Sequence, residues 1–140
     1  GVHLGGFFVQ GDVVDYGERV LSKGLYIMQG PGNDLESVTG LAASGANVIC
    51  FSTGRGTITG CALVPVIKIS STSALLAQMP DDIDYDAGAM LESGSLEDAL
   101  SMFGKSLLEL IIAVASGQKT KPETNRQRQF QIWTAGKLSL

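Results

Sequence analysis

Histidine is almost missing from this sequence: His3, near its beginning, is the only one. A histidine-based metal cluster or a His-dependent triad cannot be assembled from these residues, and His3 itself reads as incidental. Two cysteines, Cys50 and Cys61, are too few for a disulfide framework. Cys50 sits in the apolar run Val48-Ile49-Cys50-Phe51 and reads as a small buried hydrophobe. Both are expected as free thiols in a reduced, cytoplasmic setting. No apolar run reaches the roughly 18 residues of a membrane span; the longest, around Leu107 to Ala115, contains Glu109. Basic residues number 10 against 14 acidic ones, a formal net charge of −4. General nucleic-acid binding needs a basic face, so this balance argues against it. Gly-Lys-Ser/Thr is absent, which excludes a Walker A loop. The opening GVHLGGFFVQG lacks the basic region and cleavage pattern of a signal peptide, and reads as a chain cut from something longer.

What is abundant is glycine, 18 in 140 residues, dense in residues 1–24 and again between Gly30 and Gly60. Two glycine-rich loops lie there, each after a short apolar run: GPGND after Leu25-Tyr26-Ile27-Met28, and TGRGTITG after Val48 to Phe51. The length fits one domain and the 44% hydrophobic content supplies a core. Residues 1–24 read as a linker or the end of a preceding domain, with one short strand near Val13 to Tyr16. Strands are expected at Leu25–Gln29, Asn47–Ser52 and Val64–Ser70, the second as a buried parallel strand. Asn33 or Asp34 caps a helix that stops at Gly45. Thr72 or Ser73 caps a short helix, Ala74–Gln78, stopped by Pro80. Ser95 caps a long helix, Leu96–Ser116, ended by Gly117; Leu96, Leu100, Phe103, Leu107, Leu110, Ile111 and Val114 share the face that packs on the sheet or on a neighbouring chain. Lys119 to Arg128 reads as exposed, and Phe130 to Trp133 as strand-like. Strands alternating with helices predict an α/β fold, a mainly parallel sheet with helices on both faces in a Rossmann-like three-layer sandwich. A right-handed crossover through the first helix places Asn47–Ser52 parallel to Leu25–Gln29 and most simply next to it. Asn33 and Asp34 then face Arg55 and Thr57 across one crevice.

Each candidate feature carries two readings. The first loop offers the amides of Gly32, Asn33 and Asp34 to an anion, or is a tight turn with an ordinary cap. In the second, Arg55 between Gly54 and Gly56 can hold a carboxylate bidentately, with Thr53 and Thr57 on substrate hydroxyls, or it is a solvated arginine in a flexible loop. Neither loop is a nucleotide fingerprint: the last glycine of GRGTITG falls one residue too late for G-x-G-x-x-G. Lys68, among apolar neighbours, is either a base with a lowered pKa or a strand-end lysine that snorkels to water. Asp82, Asp84 and Asp86 alternate as in a calcium loop. Ala87 and Ser93 break the EF-hand pattern, which leaves a looser metal site or a solvated acidic loop.

At GLYIMQGPGNDLESVTGLAASGANVICFSTGRGTITG, then PVIKIS, MPDDIDYDAG, ASGQKTKPE and FQIW, the chain resembles the altronate dehydratase and galactarate dehydratase family of sugar-acid dehydratases. The resemblance covers nearly everything from Gly24 onward and implies that residues 25–140 form the C-terminal α/β domain of such an enzyme. It implies a hydro-lyase that dehydrates a hexarate or hexonate to a 2-keto-3-deoxy sugar acid, with a divalent metal, usually Fe2+, bound mostly by parts outside this chain. The implied partners are the sugar-acid substrate, the remaining domains and a further copy in a homo-oligomer, with no membrane. Arg55 and Lys68 are then the catalytic candidates, and Gly32, Asn33, Asp34, Thr53, Gly54, Gly56 and Thr57 the substrate-binding ones. The isolated chain is expected to be inactive. A non-catalytic structural or oligomerisation domain is the alternative, as is a sulfolactate sulfo-lyase-type lyase, although GPGND-x-ESVTG is closer to the dehydratases.

Overall fold

The structure is a computed structural model that describes residues 2–4, 7–9, 11–92 and 95–134. Its chain forms two compact units. One runs through Ala46 and takes in the stretch from Phe130 onward; the other is Asn47–Gln129. The α/β class with parallel pairing holds in both.

In the first unit, β1 (Val2–Leu4) pairs antiparallel with β2 (Phe7–Val9). β3 (Gly11–Val14) pairs parallel with β4 (Leu25–Met28), in the register Gly11↔Leu25 to Val14↔Met28. α1 (Asp34–Ala43) follows, with Asn33 as its N-cap and Gly45 beyond it at φ +107°. That positive φ is the left-handed turn that ends a helix and favours glycine. α1 is fixed from two sides. The Tyr16 hydroxyl donates to Glu36 O at 2.7 Å, and its ring meets Trp133 edge-on with centroids 5.4 Å apart. Gln131 N donates to Thr39 Oγ1 at 3.1 Å, and Gln131 Nε2 to Glu36 Oε1 at 3.0 Å. Phe130 to Trp133 therefore forms no strand. Its hydrogen bonds go to side chains of α1 and to Tyr16 instead of to a ladder.

In the second unit, β5 (Ile49–Thr53), β6 (Val66–Ser70) and β7 (Tyr85–Asp86) make a parallel sheet in that order. All five residues of β6 are buried, as a central strand requires. β5 is an edge strand with alternating burial, and this exposes Cys50, which the apolar run had placed inside; Cys61 is the buried cysteine, and both are free. After β6 come α2 (Ser73–Gln78, N-cap Thr72), a 3-10 turn at Gly88–Glu92, α3 (Leu96–Ala115, N-cap Ser95) and α4 (Lys121–Thr124). Leu107, Leu110, Ile111 and Val114 of α3 pack with Ile67 and Ile69. Leu100, expected on that face, is exposed. Ala99, one position earlier, is the buried residue at this end of the helix, so the inward face there is turned away from the leucine spacing. No helix among the described residues is long and apolar enough to cross a membrane.

The pairing expected between Leu25–Gln29 and Asn47–Ser52 is not found among the described ladders: β4 pairs with β3, and β5 with β6, in separate sheets of the two units. The crossover rule concerns strands of one sheet, and Gly11–Val14 supplies β4 with a different parallel partner.

Two glycines give opposite expectations. A Cβ on Gly40 of α1 would lie 2.3 Å from the Tyr16 ring, which its hydrogen bond and Trp133 hold in place. A Cβ on Gly104 of α3 would meet nothing within 4 Å. Gly40→Val should cost about 2 kcal/mol through overpacking. Gly104→Ala should gain about 0.5–1 kcal/mol through helix propensity. Urea unfolding of the two variants beside the parent measures both signs.

Candidate functional site

The two glycine loops belong to different units. In the first, the Asn33 side chain accepts from Leu35 N at 3.0 Å and Glu36 N at 3.3 Å, the ordinary cap geometry. Ser37 Oγ donates to Pro31 O at 2.6 Å and closes the turn. The cap takes the amides of Leu35 and Glu36 and not those of Gly32, Asn33 and Asp34. Gly32 is exposed, and a Cβ on it would enter open space, so its glycine is not required by packing within the chain.

The second loop is built more tightly. Thr53, the last residue of β5, accepts on Oγ1 from Gly56 N at 3.0 Å. Gly56 has φ +84°, and a Cβ there would lie 2.2 Å from Met79 Sδ. Both facts require glycine. Gly54 has no such constraint, its nearest neighbour being Ser71 Oγ at 3.4 Å. Thr57 Oγ1 donates to Thr59 Oγ1 at 2.9 Å and accepts from Thr59 N at 3.2 Å. A hydroxyl has one donor and two acceptor sites. The Thr53 hydroxyl therefore keeps its donor, and Thr57 keeps one acceptor. Arg55, at the tip between these fixed points, is exposed and forms no ion pair or hydrogen bond among the described residues.

Beneath the loop lies Lys68, 0% exposed, on the central strand. It does not snorkel. Its Nζ donates to Thr57 O at 2.8 Å and to Gln127 Oε1 at 2.9 Å, with Asp82 Oδ1 at 3.7 Å. Gln127 Nε2 donates in turn to Asp82 Oδ1 at 2.6 Å. The backbone at Gln127 comes this close only because residue 60 is glycine: a Cβ there would lie 2.2 Å from Gln127 O. Desolvation lowers the Lys68 pKa, and the charges of Asp82 and Asp84 oppose that shift. Its three N–H donors thus face two hydrogen-bond acceptors and one carboxylate within the fold.

The acidic stretch is neither solvated nor convergent. Asp82 belongs to the Lys68 cluster. Asp84 Oδ2 accepts from Lys68 N and Oδ1 from Lys121 N, both at 2.8 Å. Desolvation raises its pKa, and those two backbone hydrogen bonds partly offset the rise. Asp86 Oδ1 accepts from Gly88 N at 2.9 Å and Ser70 Oγ at 3.3 Å. Three carboxylates thus serve three separate sets of donors. No group of three or more His, Cys, Asp or Glu that could hold a metal gathers among the described residues. The described donors do not by themselves form a metal centre.

Sequence reasoning missed Gln127, Asp82 and Asp84 as partners of this cluster. A signal existed for the acids: a lysine inside the apolar strand Val66-Ile67-Lys68-Ile69 needs nearby negative charge, and the next charged residues along the chain are aspartates. Nothing in the polar stretch Lys119 to Arg128 marked Gln127. Lys119, Thr124, Asn125, Arg126 and Arg128 are exposed as expected, but Thr120 and Pro122 are buried, and a capping box between Thr120 and Glu123 starts α4.

The family model "D-galactarate/Altronate dehydratase, C-terminal" matches residues 5–138. An altronate dehydratase of Escherichia coli (strain K12) is 37% identical over 125 residues, which is 89% of this chain and 24% of that protein. An altronate dehydratase of Bacillus subtilis (strain 168) is 36% identical with the same coverage. A (2R)-sulfolactate sulfo-lyase subunit beta of Chromohalobacter salexigens is 33% identical over 120 residues, 86% of this chain and 30% of that protein. This chain spans about a quarter of the length of the altronate dehydratases it matches. It belongs to the D-galactarate/altronate dehydratase C-terminal family.

Proposed function

We propose that this chain is the C-terminal part of a cytoplasmic hydro-lyase that dehydrates a hexarate or hexonate of the galactarate or altronate type. The reading rests on the family match over residues 5–138. The reaction breaks the C–H bond α to a carboxylate and the C–O bond at the β carbon. Water leaves, and the resulting enol becomes the 2-keto-3-deoxy acid. Removal of the α proton puts negative charge on the carboxylate as an enediolate, so a fixed cationic donor aimed at that carboxylate lowers the barrier. Arg55 fills that role here. Thr53 Oγ1, the free acceptor of Thr57 and the amide at Gly54 orient substrate hydroxyls beside it. Lys68 is a positioning residue: its enclosed ammonium holds the carbonyl of Thr57 and so sets where Arg55 starts. The divalent metal implied by the resemblance, Fe2+, belongs in this proposal mostly to parts of the full-length enzyme outside these residues. The isolated chain is then inactive. The sulfo-lyase subunit among the relatives favours one second reading, loss of sulfite in place of water from a similar β position.

In the full-length enzyme, Arg55→Gln should lower kcat/KM for galactarate or altronate about 100-fold or more, with an unchanged melting temperature because Arg55 has no partner among the described residues. Asn33→Ala should act differently, since it removes the α1 cap and costs about 1 kcal/mol of stability. Full activity in Arg55→Gln on both substrates would reject this assignment.

Lys68 generates a pH expectation. Its native pKa lies below the ordinary lysine value. Between the two values the unfolded chain binds more protons than the native one, so stability rises with pH through that window, which ends near 10.4. Urea unfolding from about pH 8 to pH 10 should show this rise in the parent and lose it in Lys68→Gln. A slope shared by both would show that Lys68 is not the group responsible.

A further inference from the structure

The second unit holds a cavity that none of the roles above uses. It has a volume of about 290 Å³ and is lined by Cys61, Ala62, Lys119, Glu123 and Arg128. Its walls are fixed. Cys61 is buried and follows Gly60, whose missing side chain lets the backbone at Gln127 pack against the loop. Thr120 and Pro122 are buried at the start of α4. The two cations are different: Lys119 and Arg128 are exposed and form no ion pair or hydrogen bond among the described residues. The one carboxylate in the lining leaves a net positive charge on it and forms no ion pair with either cation among the described residues. Glu123 Oε2 is turned back to accept from Thr120 N at 2.9 Å and Thr120 Oγ1 at 3.2 Å. A chain of net charge −4 thus brings two unpaired cations to one small cavity.

That arrangement favours an anion. An arginine fork holds two oxygens of one carboxylate or phosphate, and a lysine adds a point charge. Cys61 and Ala62 supply a short apolar wall for a carbon skeleton. The volume lies at the small end of ligand pockets, which run from about 300 to 1,000 Å³, so the site is too small for a dinucleotide. We propose that this cavity binds a small anion whose carboxylate or phosphate oxygens are held by Arg128 and Lys119. The site is separate from the role assigned to Arg55 and does not depend on it.

The test is calorimetric titration of the full 140-residue chain with galactarate, with tartrate and with inorganic phosphate, at constant ionic strength set by chloride. Saturable binding is expected. A response to the sugar acids alone, or to phosphate alone, identifies which oxygens the site takes. Arg128→Gln and Lys119→Gln should each weaken binding about tenfold, equivalent to ~1.4 kcal/mol. Both residues are exposed, and an unchanged circular dichroism spectrum checks that the variants fold. Lys105→Gln, an exposed lysine of α3 outside the cavity lining, should bind as the parent does. Three results overturn the proposal: no saturable binding of any of the three anions, parental affinity in the Arg128→Gln/Lys119→Gln double variant, or an equal loss of binding in Lys105→Gln.

Discussion

The second unit depends on a positive charge placed where water does not reach. Taking an ammonium out of water costs several kcal/mol even after relaxation, and attraction to a carboxylate recovers that only when the other donors are also satisfied. Lys68 meets the condition with Thr57 O, Gln127 Oε1 and Asp82. A leucine at this position would avoid the desolvation cost. It would also leave the Thr57 carbonyl and the Gln127 amide oxygen without a donor, and buried acceptors left unpaired cost about 1–3 kcal/mol each. The ammonium thus ties three segments distant in sequence to the central strand: the second glycine loop, the stretch after Pro80 and the stretch after α4. Hydrophobic contact brings surfaces together without direction. A hydrogen-bonded charge fixes one carbonyl at one place, here in the loop whose tip carries the exposed Arg55.

The acidic stretch solves a related problem on the other edge of β6. β7 pairs with β6 only at Ile69↔Tyr85 and Ser70↔Asp86. One step earlier, the Lys68 amide has no strand to donate to, and a buried N–H cannot be left without an acceptor. The Asp84 carboxylate takes it, and the Asp84 amide donates back to Lys68 O at 2.9 Å. The same carboxylate takes Lys121 N, so it joins the sheet edge to the start of α4. Asp86 does similar work for Ser70 and Gly88, where a Cβ on Gly88 would lie 2.3 Å from Ser73 N. Carboxylates that look like metal ligands by spacing are here replacements for missing backbone partners.

Local signals in the sequence were read correctly where the physics is local. Asn33 and Ser95 cap α1 and α3, Gly45 and Gly117 follow their ends, and Thr72 caps α2. A cap depends on a side chain and the amides two or three residues on, and all of that is visible in a short window. β3 to β6 were legible to within two residues for the same reason, whereas β1, β2 and β7 went unread and Phe130 to Trp133 is no strand. Strand partners were not: pairing is decided between distant segments, and an apolar run does not say which edge it will meet. Cys50 shows the consequence. Its neighbours are apolar, but it lies on an edge strand and its face is exposed. The candidate site divides along the same line. Gly56 and the loop threonines announced themselves by composition. Gln127 did not, because its role exists only once Gly60 has let the backbone approach.

The same division explains how the second loop can combine fixity with reach. Gly56, Thr53, Thr57 and Lys68 hold its backbone through partners inside the fold. Arg55 alone is left unpaired there, on a side chain that carries about 2 kcal/mol of rotamer entropy. Ordering that side chain on a ligand is a cost. Ordering the loop as well would add about 1–2 kcal/mol for each residue whose backbone had to be fixed. A loop already fixed from below therefore leaves more of the arginine–carboxylate interaction for the transition state. In the proposed role, where the arginine acts with groups from elsewhere in a longer enzyme, a loop held from below presents an exposed guanidinium that has no partner among the described residues.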